Sequence, residues 1–161
     1  MKKSSIGKEV EEFHSSIVEL IKKYQFRDRN EITSFGISVS QCYVLETLHF
    51  QGAITMNKLA EQMHLTISTI TRLVDQLEGK NLVKRKQHSE DSRVRIIKLT
   101  PKGEKVFLKS WTNVFESEKK IFENIKPEYR KVLLSLLKDL NHSVDQWQGS
   151  CKLKKQKAFA K

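Results

Sequence analysis

The chain has 161 residues, 38% hydrophobic and 30% charged, with a formal net charge of +11. That balance excludes a low-complexity disordered chain and suits one core with a helical extension. No apolar run approaches the ~20 residues needed to cross a bilayer, and residues 1–12 carry no apolar signal stretch, so a cytoplasmic protein with no membrane partner is expected.

Residues 8–29 read as a helix, because Val10, Phe13, Ile17, Leu20, Ile21 and Tyr24 recur at the spacing of one helical face. Residues 30–38 read as a loop. A second helix runs over about 40–50, with Tyr43, Val44, Leu45 and Leu48 apolar, and Gln51-Gly52 breaks it. Thr55 suits the cap of a short helix carrying Met56, Leu59, Ala60 and Met63. His64-Leu65 turns the chain, and Thr66 suits the next cap, its hydroxyl accepting from an otherwise free backbone N–H. In that next helix Ile70, Leu73, Val74 and Leu77 form an i, i+3, i+4, i+7 set, and Asn81 suits the left-handed stop.

The period then changes. Residues 82–86 have strand character, 87–92 are polar turn material, and 93–99 alternate β-branched with basic residues, which predicts a hairpin with a charged tip. Thr100-Pro101 begins a long helix, since proline at the first helical position lacks only an N–H that would be unpaired anyway. Pro127 opens a last helix with Val132, Leu133, Leu136, Leu137, Leu140, Val144 and Trp147. The expected fold is mainly α with a small β-hairpin, a winged helix-turn-helix with long N- and C-terminal dimerisation helices. Residues 1–36 would be the N-terminal dimerisation helix and 37–100 the DNA-binding region. Residues 101–148 would be the C-terminal dimerisation helices and 149–161 a disordered basic tail.

The charge is unevenly placed. Residues 55–100 hold nine basic and five acidic side chains, and 126–161 hold nine and three. Concentrated positive charge points to a polyanion, with double-stranded DNA ahead of anionic membrane. In the tail, Lys152, Lys154, Lys155, Lys157 and Lys161 suit a solvated end as well as a contact.

The second helix of the helix-turn-helix fits the major groove, where base edges present distinct donor and acceptor patterns. Opposite its apolar stripe stand Ser68, Arg72, Asp75 and Gln76, with Thr69 and Thr71 on the flanks. Base contacts concentrate at the N-terminal end of such a helix, which favours Ser68, Thr69, Thr71 and Arg72. Strand alternation puts Arg93, Arg95 and Ile97 on one face of the hairpin and Val94, Ile96 and Lys98 on the other. Arg93 and Arg95 suit a narrow minor groove. Thr55, Gln76, Lys84, Arg85 and Lys86 suit phosphates, and Asp91 suits bracing an arginine at the turn. The alternative is a winged helix used for non-specific DNA binding or for protein contact.

Residues 59–103 resemble the MarR (multiple-antibiotic-resistance regulator) family. The marks are Leu59-Ala60, the run from Leu65 to Glu78, Asp91 with Arg93, and Leu99-Thr100 followed by Gly103. The resemblance extends through the flanking helices to about residue 147. It implies a homodimeric transcription regulator, usually a repressor, on a pseudo-palindromic operator. Arg93 would sit at the wing tip, and a small aromatic ligand or an oxidant would release the DNA. The family often has glycine where this chain has His64 and Asn81, and these residues tolerate the same positive φ better than most. Dimerisation also follows from the apolar excess of the terminal helices, which a lone winged helix would leave exposed.

An effector pocket lined by Tyr24, Phe35, Tyr43 and Trp111 is an expectation, although aromatics at helical spacing are more often core. Cys42 reads as packed core rather than a thiol sensor, and nothing near Cys151 would activate it. The five histidines are scattered without a ligand spacing, so no metal or other cofactor is expected. No phosphate loop, paired carboxylates or activated nucleophile points to an enzyme.

Overall fold

The structure is a computed structural model that describes the backbone of residues 3–87 and 95–159 and the side-chain surroundings of 6–87 and 95–149. It divides into two compact units, residues 1–116 and 117–161. The elements are α1 (Lys3–Ile32), a 3-10 turn (Thr33–Phe35), α2 (Val39–Gln51), β1 (Ile54–Thr55), α3 (Met56–Gln62), α4 (Ile67–Gly79), β2 (Val83–Gln87), β3 (Arg95–Leu99), α5 (Pro101–Glu123) and α6 (Pro127–Phe159). This is the winged helix-turn-helix expected, mainly helical with a small antiparallel sheet.

Local chemistry places each boundary. Ser38 and Gln41 form a reciprocal capping box at the start of α2. Thr55 and Thr66 cap α3 and α4, accepting from the Lys58 and Thr69 N–H groups at 3.2 and 3.3 Å. Each such cap stabilises its helix by about 1 kcal/mol. The two tight turns hold their non-glycine residues at positive φ, His64 at 51° and Asn81 at 59°.

The sequence reading misses β1. Two residues are too short to show alternation, but Ile54 and Thr55 pair with Ile97 and Ile96, so the hairpin becomes a three-stranded sheet in the order β1-β3-β2. In the hairpin Lys84 lies opposite Lys98, Arg85 opposite Ile97 and Gln87 opposite Arg95. Opposed residues share a face. Val83 and Ile97, at 2% and 0% exposure, therefore define an inner face, and Lys84, Lys86, Ile96 and Lys98 share the outer one.

In the first unit the core is built from Ile37, Val44, Leu45, Leu48, Leu59, Ile70, Val74, Leu77, Leu82, Val83, Ile97 and Phe107. The closing Thr-x-x-Gly is a packing device. The Thr100 N–H donates to the Leu82 carbonyl at 3.0 Å, and its hydroxyl donates to the Asn81 carbonyl at 2.7 Å. A Cβ at Gly103 would stand 1.9 Å from the Leu82 carbonyl oxygen. Only glycine lets α5 start so close to the end of the α4–β2 turn.

In the second unit Arg130 donates to the carbonyls of Ile125 and Glu123 at 2.9 and 3.0 Å, and its guanidinium lies 5.3 Å from the Phe122 ring centre. This closes the turn ahead of α6. The helix does not stop near Gly149, where the sequence reading expects the disordered tail to begin, but continues to Phe159. The residues after Gly149 include neither proline nor a second glycine, and lysine, leucine, glutamine and alanine all favour helix.

Two predicted apolar stripes are on the surface. On α1, Val10, Phe13, Leu20 and Ile21 are exposed, and on α6 so are Val132, Leu136, Leu137, Val144 and Trp147. We expect Gly103→Ala to lower the unfolding free energy by about 3 kcal/mol, the upper end of the cost of overpacking, in denaturant titration. A loss under about 0.5 kcal/mol would mean that α5 does not need this close approach.

Candidate nucleic-acid interface

The apolar stripe of α4 is fully committed: Ile70, Val74 and Leu77 are 0% exposed and Leu73 is 7%. The opposite face is therefore turned to solvent, with Ser68, Arg72, Asp75 and Gln76 all exposed and Thr69 and Thr71 at its margins. Their hydroxyls are locally ordered. Thr66 Oγ1 lies 3.0 Å from Ser68 Oγ and 2.9 Å from Thr69 Oγ1, and Thr71 donates to the Ile67 carbonyl at 2.8 Å. Each keeps lone pairs for an incoming donor. Arg72 has no hydrogen-bond or ion partner among the described residues, so its five donors are free.

Arg85, expected at a phosphate, has partners within the chain. It lies on the inner face of β2, pairs with Asp75 at 2.5 Å and with Glu78, and its N–H donates to Glu78 at 3.2 Å. Although partial burial opposes its charge, these carboxylates hold its pKa above the usual arginine value. These pairs tie β2 to α4. Strand alternation alone could not reveal this, because the acids lie on α4.

Gln76 is also engaged. It accepts from the Gln41 side-chain amide at 2.9 Å, and Gln41 accepts in turn from the Lys80 ammonium at 2.9 Å. Lys80 also donates to the Gly36 carbonyl at 2.7 Å. Gln41, 4% exposed, thus joins the cap of α2 to the last turn of α4, and the sequence reading does not find it. Its partners Gln76 and Lys80 lie 35 and 39 positions away, so no local pattern marks it. Thr55 uses its hydroxyl as a cap. Lys84 and Lys86 are exposed on the outer sheet face, and Arg95 is exposed at the distal end of the inner face opposite Gln87. Arg93 and Asp91 lie outside the described residues.

Between α1 and α2 is a cavity of about 650 Å³, lined by Ile21, Tyr24, Gln25, Arg27, Asp28, Arg29, Val39, Ser40 and Tyr43. Asp28, 4% exposed, accepts from Arg27 at 2.7 Å and from the Tyr43 hydroxyl at 2.5 Å. Burial and this buried carboxylate push the Tyr43 hydroxyl well above its ordinary pKa, so it stays a donor. Tyr24 and Tyr43 meet here, but Phe35 and Trp111 do not line this cavity. Phe35 packs against the core, and Trp111 stacks among Phe50, Phe107 and Phe115 at 5.8–6.3 Å. Cys42 is buried, 3.5 Å from Ser110 Oγ, and burial raises its thiol pKa despite that hydrogen bond. Among the described residues no group of His, Cys, Asp and Glu could hold a metal ion.

Residues 37–94 match the MarR family. The transcriptional repressor MdtR of Bacillus subtilis is 32% identical over 89 residues, which cover 55% of this chain and 57% of MdtR. A MarR family protein from Bacillus stearothermophilus superposes with a TM-score of 0.77 at 25% identity, over 86% of this chain and 96% of that one. The Bordetella bronchiseptica protein BpsR superposes with a TM-score of 0.70 at 17% identity, over 80% and 91%. Its structure concerns regulation of DNA binding by 6-hydroxynicotinic acid.

Two outcomes follow. Arg85→Met should lower stability by about 1 kcal/mol, the scale of a half-exposed ion pair, and leave the salt dependence of DNA binding unchanged. A shallower salt slope would return Arg85 to the phosphate contacts. Burial, and then the Asp28 charge, raise the Glu46 pKa above 4.5. Folding therefore favours protonated Glu46, a contribution present below pH 4.5 and lost as pH rises through the raised value. Glu46→Gln should stabilise the protein at pH 7 in thermal melts, and a lower melting temperature would contradict that sign.

Proposed function

We propose that this chain, a MarR-family transcriptional regulator by its residues 37–94, binds a pseudo-palindromic operator as a homodimer and acts as a repressor released by a small aromatic ligand. The observation that carries the reading is the two-sidedness of α4, with one face wholly buried and the other a surface of hydroxyls and one free guanidinium. That surface suits base edges, with Arg72 bidentate to guanine O6 and N7 and Ser68, Thr69 and Thr71 as smaller contacts. Arg93 and Arg95 serve the minor groove.

The dimer is supported by the exposed apolar stripes of α1 and α6, each of which would stand in water in a single chain. A two-fold pair of reading helices would meet half-sites about one duplex turn, ~34 Å, apart. The repressor role is supported by the likeness to MdtR. The ligand is supported by the cavity that Tyr24 and Tyr43 line between α1 and α2. In BpsR, of the same fold, DNA binding is regulated by 6-hydroxynicotinic acid.

Selection of duplexes from a random-sequence pool, at stated salt, tests the reading. An inverted repeat should emerge, and Arg72→Ala should weaken binding to it by about 1–3 kcal/mol while leaving scrambled DNA nearly unaffected. Recovery without any shared motif would replace an operator-binding regulator with a non-specific DNA binder.

A further inference from the structure

Of Ser68, Arg72, Asp75 and Gln76, opposite the buried stripe of α4, only Asp75 is acidic. It is exposed, three residues after Arg72. Three residues of helix advance about 4.5 Å and return to within about 60° of the same direction. Successive base pairs are about 3.4 Å apart, so a side chain placed there faces a base pair next to the one that Arg72 reads. Its carboxylate is half committed. Oδ1 accepts from Arg85 at 2.5 Å, and Oδ2 has no partner among the described residues. Arg85 also pairs with Glu78, so its charge is balanced without Asp75. A carboxylate only accepts, and phosphates repel it. On a surface that meets the major groove its favourable partners are the amino groups of cytosine N4 and adenine N6. Adenine sets its N7 acceptor beside that amino group, which repels a carboxylate, whereas cytosine presents the donor alone.

We propose that Asp75 is a specificity-determining residue, whose Oδ2 accepts from cytosine N4 in a base pair next to the guanine that Arg72 reads. Arg85 orients the carboxylate through Oδ1 and leaves the other oxygen to the base. The inference rests on the operator-binding reading and adds one base to what α4 recognises.

The test begins with selection from a random-sequence pool by the full chain and by Asp75→Asn, at one salt concentration. The parent should select cytosine at one fixed position of each half-site, next to the guanine whose selection Arg72→Ala abolishes. Asp75→Asn, whose amide donates as well as accepts, should move that position alone to adenine. N4-methylcytosine placed there removes the amino hydrogen that faces the major groove and keeps the base pair. The parent should bind the methylated duplex about tenfold more weakly, the scale of one base contact. Asp75→Ala, shown to be folded by its thermal melt, should bind both duplexes equally. An unchanged preference in Asp75→Asn, or one altered at several positions, would overturn the proposal. So would an equal response of Asp75→Ala and the parent to methylation, which would leave Asp75 as a brace for Arg85. If the parent selects no shared motif, the operator-binding reading fails and takes this inference with it.

Discussion

The burial of four side chains on α4 is the constraint from which the rest follows. Ile70, Leu73, Val74 and Leu77 each contribute about 1.5–3 kcal/mol of hydrophobic stabilisation when removed from water. With that stripe locked into the core, the rotation of α4 about its own axis is fixed. The residues half a turn away have no choice but solvent. Arg72 is presented by the packing beneath it, not by any contact of its own. Gln41, Lys80 and Arg85 then refine the position, tying the end of α4 to the cap of α2 and to β2. Breaking the stripe would lose the surface and the fold together. Breaking one of the polar ties would tilt the surface on a folded protein.

Charge is divided by face in the same way. On the inner side of the wing, the positive charge of Arg85 is matched by the carboxylates of α4, which ties that helix to β2, and Arg95 at the distal end is exposed. On the outer side positive charge is left unmatched. Formal net charge hides this difference, since Arg85 and Lys84 count equally in it.

Much of this was legible in the sequence, and the failures are physical. Period-3.6 spacing located α4 and its buried face, because burial is what creates that spacing. The Thr caps, the positive-φ turns at His64 and Asn81, and proline-led α5 and α6 were readable because each reflects a local backbone requirement. Strand β1 was not, since two residues carry no period and their pairing is decided by β3, over forty positions away. The ion pairs of Arg85 were not legible, because its partners are set by tertiary packing. The pocket residues divided for the same reason: Tyr24 and Tyr43 face one cavity, while Trp111 joins an aromatic stack. The stripes on α1 and α6 have the periodicity of a core but are exposed in one chain, and sequence patterning cannot say whether a core is shared between chains.

The central claim is that the exposed face of α4 enters the major groove. Dimethyl sulfate probing of a bound duplex tests it directly, because guanine N7 lies in the major groove and adenine N3 in the minor. The account predicts protection of guanine N7 in each half-site and its loss with Arg72→Ala at DNA occupancy held constant. Binding without any change in N7 reactivity would contradict it, and would mean that the duplex lies against some surface other than α4.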